Sequence, residues 1–361
     1  VLVIDALTPQ PDRDSGSLRL VNLMRLLIEE GAHVVFVPAN RSADGDYTAA
    51  LQQIGVECWH APYAARFPAW LREHGPRFDV VMVSRHYIAG EMLPLLRRYA
   101  PTARVLFDTV DLHYLRERRA AELDGDASAL RAAMRTRELE LALIREADTT
   151  LVVSEVERAL LAVDAPDANV RVLSNLHRET PPGPIWSQRD GLLFVGGFRH
   201  PPNVDAVLWF ARDVFSRIRA VRPTLEFHCI GGDVPNEIAR LADIPGVRIH
   251  GHVPDLQHLL DGTRVSVAPL RYGAGVKGKV NQAMAHGLPV VATTAAVEGM
   301  HLQEGDDVLV ADDAAAFADA VLRLHEDEAL WARLSANGRD NVARHFSLDA
   351  ARVVVRELFF D

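Results

Sequence analysis

Ala268-Pro269-Leu270-Arg271-Tyr272-Gly273-Ala274-Gly275-Val276-Lys277-Gly278-Lys279-Val280-Asn281-Gln282-Ala283-Met284-Ala285-His286-Gly287-Leu288-Pro289-Val290-Val291-Ala292-Thr293 is the stretch that decides the fold. The apolar run Val265–Leu270 reads as a strand and feeds a glycine loop. A helix with two lysines in its first turns follows, and Gly287-Leu288-Pro289 stops it before the next strand, Pro289–Thr293. Free amides, a helix N-terminus and the ammonium groups of Lys277 and Lys279 suit a strongly anionic group such as a diphosphate. A solvated helix start would explain the lysines but not the paired glycines.

The same alternation extends outward in both directions. Downstream of residue 190 the runs Leu192–Val195, Leu225–Ile230, Val247–His250, Val265–Leu270, Pro289–Thr293 and Asp307–Val310 read as strands. Upstream, Val1–Ile4, His33–Val37, Asp79–Ser84, Arg104–Phe107, Thr149–Val153 and Val170–Leu173 do the same. Fully apolar strands alternating with helices mean parallel sheets covered on both faces. The expected class is α/β with two Rossmann-like domains. The proline-rich run His177–Pro184 suits neither helix nor sheet interior and reads as a linker. The expected organisation is a first domain over 1–177, a linker over 178–190, a second domain over 191–346 and a terminal helix over 347–361 capped by Ser347. Tyr114–Ala147, rich in Ala, Arg, Leu and Glu, reads as helix broken near Asp124-Gly125-Asp126.

Composition narrows the function. With 48% hydrophobic and 24% charged residues, the 361-residue chain is of ordinary globular type. A net charge of −10 argues against a general nucleic-acid binder. Cys58 and Cys229 form no metal-ligand spacing and suit a reducing compartment. No run approaches the roughly 18 to 20 apolar residues that span a bilayer, so a cytoplasmic protein is expected.

In an open α/β sheet ligands bind beyond the carboxyl ends of the strands, so the loops there hold the other candidates. Gly16, in Asp14-Ser15-Gly16-Ser17, would let the backbone approach a phosphate or sugar, although the same residues also make an ordinary turn and cap. This loop is not a GxGxxG fingerprint, which lowers the case for a nicotinamide enzyme. Asp108-Thr109-Val110-Asp111-Leu112-His113 follows a strand; Asp108 and Asp111 also read as helix caps. Ser84-Arg85-His86-Tyr87 is a second polar loop suited to an acceptor or phosphate. Asp44-Gly45-Asp46 and Asp124-Gly125-Asp126 have the DxD spacing of metal-dependent transferases but lack the strand context and read as turns. Neither HxxxH nor HExxH occurs, so no metal site is expected.

The glycine-loop stretch resembles the GGGxRxKxxEAMAxGxPVV pattern of retaining glycosyltransferases of family 4, also called group 1. The resemblance extends over about residues 190 to 345, through Phe194-Val195-Gly196-Gly197-Phe198-Arg199-His200-Pro201-Pro202-Asn203, Ile230-Gly231-Gly232 and Gly251-His252-Val253-Pro254-Asp255. The N-terminal half matches more loosely. The resemblance implies the GT-B arrangement, two domains facing across a cleft with the terminal helix crossing back to the first. It implies that Lys279, with Arg199, neutralises a sugar-nucleotide diphosphate. It further implies that the loop of Val253 receives the nucleobase, that Gly16 offers amides, that Gln282 and Glu298 contact the nucleotide or sugar, and that His113, beside Asp111, acts at the donor sugar as the catalytic pair. Two glutamates of the family pattern are replaced here by Ala274 and Gln282, which removes both carboxylates from the sugar-reading part of the site. A glutamine there can still hydrogen-bond a ribose hydroxyl.

The expected function is metal-independent, cofactor-free, retaining transfer of a sugar from a nucleotide-diphosphate donor to a saccharide or lipid-linked saccharide, in bacterial surface polysaccharide or glycoconjugate synthesis. The basic run Arg116-Glu117-Arg118-Arg119 leaves peripheral contact with the inner face of the cell membrane open. The alternatives are a nucleotide-sugar epimerase or phosphorylase of the same fold, or a non-catalytic nucleotide-binding module of a larger assembly.

Overall fold

The computed structural model describes residues 1–360. The chain divides into two compact units. One comprises residues 1–11, 16–176 and 351–361, the other 12–15 and 177–350.

The first unit is built on seven parallel strands: β1 (Leu2–Asp5), β2 (Val35–Pro38), β3 (Glu57–Cys58), β4 (Val80–Ser84), β5 (Arg104–Asp108), β6 (Thr149–Val152) and β7 (Val170–Val172), in the order β3-β2-β1-β4-β5-β6-β7. The second has six parallel strands: β8 (Leu192–Val195), β9 (Phe227–Ile230), β10 (Val247–Gly251), β11 (Val265–Ala268), β12 (Val290–Ala292) and β13 (Leu309–Val310), in the order β10-β9-β8-β11-β12-β13. β1, β2 and β4 are buried along their whole length, which is why they read as unbroken apolar runs. Both units are therefore doubly wound α/β folds.

Several expectations shift. The two-residue strand β3 escaped the sequence because Glu57-Cys58 is too short and too polar at the sheet edge to carry a period. β11 ends at Ala268 and not Leu270, β9 begins at Phe227 and not Leu225, and β2 runs over Val35–Pro38 and not His33–Val37. The expected break after Tyr114 is present: helix His113–Asp124 ends on Gly125, whose φ of 67° is left-handed, and Asp126 caps helix Ala127–Glu146 by accepting the amides of Ser128 and Ala129. The Ser347 hydroxyl accepts the amide of Ala350 at the start of helix Leu348–Phe359. From Ala351 onward this helix belongs to the first unit, where Arg104 donates to the Leu358 carbonyl at 2.7 Å. No helix among the described residues is long and apolar enough to cross a membrane.

Candidate active site

In the second unit β8 lies between β9 and β11, so the chain winds outward in both directions from the β8/β11 pair. The crevice beyond the carboxyl ends of such a pair is where open α/β sheets bind ligands. Two glycine pairs line it, Gly196-Gly197 after β8 and Gly231-Gly232 after β9. A Cβ on Gly231 would lie 2.1 Å from the Gly196 carbonyl oxygen, so the two loops approach as closely as they do only without side chains.

After β11 the loop turns through Gly273 and Gly275, with φ of 153° and 67°, and enters helix Gly278–Ala285. The two lysines part company here. Lys277 is buried, and its ammonium donates to the carbonyls of Ala274 at 3.0 Å and Gly275 at 2.6 Å, bracing the loop from within. Lys279, partly buried, points instead at the β8 turn. Its Nζ hydrogen-bonds Asn203 Oδ1 and stands 4.6 Å over the Phe194 ring. A Cβ on Gly196 would lie 2.8 Å from that Nζ. No carboxylate pairs with Lys279 among the described residues. Burial, reinforced by the neighbouring Lys277 charge, lowers its pKa from 10.5 to about 7. A desolvated ammonium without a counter-charge, beside glycine turns at a sheet switch point, has the chemistry to receive an anion.

The other expected contacts are distributed around this centre. Arg199 is exposed and pairs with Asp233 at 3.0 Å, linking the loops after β8 and β9. Val253 lies partly exposed in the loop after β10, Gln282 sits partly buried in the second turn of helix Gly278–Ala285, and Glu298 follows helix Thr294–Val297. Gly16 is corrected. It lies inside helix Ser15–Glu29 rather than in the loop before it, so its amide belongs to the first helical turn. Asn203 carried no role in the sequence reading. Its position two residues into helix Pro201–Trp209, directly after the glycine turn, was the available signal.

In the first unit the loops after β4 and β5, with helix Ala127–Glu146, bring four polar side chains together. His113 is the first residue of helix His113–Asp124 and is 7% exposed. Its Nδ1 lies 3.1 Å from the Asp111 carbonyl and 3.4 Å from Asp111 Oδ1, and Asp111 is itself bonded to Arg116. Burial holds the imidazole neutral, with a pKa near 4. Its ring meets His86 edge-on at a centroid distance of 4.6 Å. Beneath them Glu140, fully buried, accepts the backbone amides of His113 at 3.3 Å and Tyr114 at 3.1 Å. Burial raises its pKa from 4.5 to about 8. Sequence reading missed Glu140; the signal was a glutamate within the buried stripe Ala133, Glu140, Leu141 and Ile144 of its helix. His86, His113 and Glu140 hold ligand-type atoms within 4.8 Å of one another and could take a metal ion, but both Glu140 oxygens already accept amides. The backbone is strained on either side: Arg85 and Val110 have φ of 71° and 65°. A β-branched residue in the left-handed region is uncommon, and such strain concentrates at functional sites.

Residues 189–327 match the family Glycosyl transferases group 1. The matched segment lies within the second unit and includes the glycine turns and Lys279. An uncharacterized 44.6 kDa protein in the cps region of Klebsiella pneumoniae is 27% identical over 140 residues, 36% of each chain. The match thus spans about a third of that relative. Among solved structures, sucrose-phosphate synthase from Thermosynechococcus elongatus superposes with a TM-score of 0.72 at 16% identity, covering 99% of this chain and 98% of the other. Anabaena HepE, in complex with UDP and glucose, gives 0.74 at 13% identity with the same coverage. At these identities the likeness establishes the fold alone: two doubly wound units.

Proposed function

We propose that the protein transfers a sugar from a nucleoside-diphosphate donor to a saccharide acceptor in polysaccharide or glycoconjugate synthesis. The observation that carries this reading is the Lys279 ammonium, desolvated and without a carboxylate partner, at the β8/β11 switch point. A cation so placed stabilises negative charge that grows on the diphosphate as the glycosidic bond to it breaks. Lys279 takes the diphosphate, with Arg199 at the rim, the loop of Val253 takes the base, and Gln282 and Glu298 take ribose or sugar hydroxyls. His113 hydrogen-bonds the sugar as a neutral imidazole, oriented by Asp111.

The transfer is read as retaining and metal-independent. Lys279 supplies the charge that a metal would otherwise provide, and both Asp-Gly-Asp runs serve helix ends: Asp44 and Asp126 each precede the first turn of a helix. UDP is the first nucleotide to test, by likeness to HepE. The same proposal places the enzyme in the cytoplasm, with lipid-linked acceptors bringing it to the inner face of the membrane.

The test is a thermal-shift screen with UDP, GDP, dTDP, ADP and CMP and their sugar conjugates, on wild type and Lys279→Ala. A ligand that binds only the folded state raises the melting temperature by mass action. A shift with one nucleotide, lost in the variant, is expected, followed by transfer to a saccharide. No shift at millimolar concentration overturns the donor site. Binding without transfer or hydrolysis would instead identify a non-catalytic module, in line with the loss of both carboxylates at Ala274 and Gln282.

A further inference from the structure

Asn203 occupies a place between two groups of opposite demand. It is buried, 4% exposed, in the first turn of helix Pro201–Trp209. Its Oδ1 accepts from Lys279 Nζ and its Nδ2 donates to the Gly197 carbonyl at 2.7 Å. An ammonium can only donate and a carbonyl can only accept, so the amide has one satisfactory orientation. One side chain therefore ties the β8 glycine turn to a lysine 76 positions away.

From this we infer that Asn203 is the positioning residue of the anion site: it aims the Lys279 ammonium while leaving its charge uncompensated. The inference rests on Lys279 being the diphosphate contact. An aspartate in this place would also reach Nζ, but it would cancel the charge that a diphosphate is to meet and would set an anionic oxygen against the Gly197 carbonyl. An apolar residue would leave both the ammonium and the carbonyl without this partner. The neutral amide satisfies both and keeps the net charge positive. The ionisable groups around Lys279 fit this arrangement. Lys277 on its own loop adds like charge, and the Cys229 thiol on β9 is pushed by burial far above its ordinary value and stays neutral.

The experiment is isothermal titration of wild type, Asn203→Asp, Asn203→Leu and Lys279→Ala with magnesium-free inorganic pyrophosphate and with UDP, from pH 6 to 9. Folding of each variant is checked by circular dichroism. Wild type should bind both, with affinity declining as pH rises above 7. Asn203→Asp should bind at least tenfold more weakly at pH 7 and lose that decline, because its lysine stays charged but neutralised. Asn203→Leu keeps the branched shape, withdraws both hydrogen bonds, and should weaken binding while moving the decline to lower pH; it carries the test should the aspartate variant not fold. Wild-type affinity and pH profile in the folded Asn203 variants, with binding lost in Lys279→Ala, would overturn the inference and leave the donor site standing. Absence of binding in wild type, or full binding in Lys279→Ala, would instead overturn the donor site itself.

Discussion

The guanidinium of Arg19 lies 2.7 Å from the carboxylate of Asp108, and both side chains are buried, at 2% and 1% exposure. Arg19 also donates to the carbonyls of Leu173 at 2.9 Å and Ser174 at 3.1 Å, so it ties helix Ser15–Glu29 to the ends of β5 and β7. Removing one partner of a buried pair leaves an uncompensated charge and costs about 3–5 kcal/mol. Arg19→Leu should lower the urea midpoint of the first unit accordingly, and Arg19→Leu with Asp108→Leu should recover part of the loss. An unchanged midpoint in the single variant would refute the assignment.

Gly231→Ala tests the approach of the two glycine turns. Its Cβ would sit 2.1 Å from the Gly196 carbonyl oxygen, a backbone atom that cannot rotate away. Overpacking of this kind costs about 1–3 kcal/mol. Because the displaced turn faces Lys279, nucleotide affinity should fall as well, read by titration calorimetry beside the melting temperature.

The depressed lysine has a signed consequence for stability. With a folded pKa near 7 against 10.5 unfolded, the native state holds fewer protons across that window, so the contribution of Lys279 to stability rises with pH there. Lys279→Met should therefore raise the melting temperature of the ligand-free protein at and below pH 7, and its advantage should shrink toward pH 10. A variant less stable than wild type at pH 6 would contradict this, whatever its effect on catalysis.

His113 stays neutral down to about pH 4, so the pH profile of transfer should carry no limb from it near the ordinary histidine value of 6.5. His113→Gln, which keeps hydrogen-bonding capacity, should lower kcat without changing the shape of the profile. A limb near pH 6.5 that disappears in the variant would show that the imidazole titrates during turnover.

Glu140→Ala removes the acceptor of two amides at the first turn of the helix that carries His113. Leaving buried amides unsatisfied costs about 1–3 kcal/mol each. Transfer should fall further than stability does, since His113 loses its anchor; equal losses in kcat of Glu140→Ala and a stability-matched core variant would argue for a purely structural role.

The features legible in the sequence are those with local causes. Unbroken apolar runs announced the parallel strands because both faces of each sheet are covered, Gly125 and Asp126 marked a helix break because one allows a left-handed turn and the other caps, and the paired glycines before Lys277 marked a loop with accessible amides. The glycine-loop segment is strand, loop, helix and strand, as its apolar runs and glycines dictate. The rest depends on segments that meet only after folding. Which of two adjacent-looking lysines would face the sheet end, and which would turn back into its own loop, is decided by Asn203 and Phe194, far away in sequence. Gly16 moved from loop to helix because the first helix begins at Ser15, and Glu140 became a cap because its helix packs beneath another. Periodicity and turn chemistry act over a few residues and determined the two sheets. Desolvation, charge pairing and the aim of a side chain are set by the packing of distant residues, and these only the tertiary structure decided.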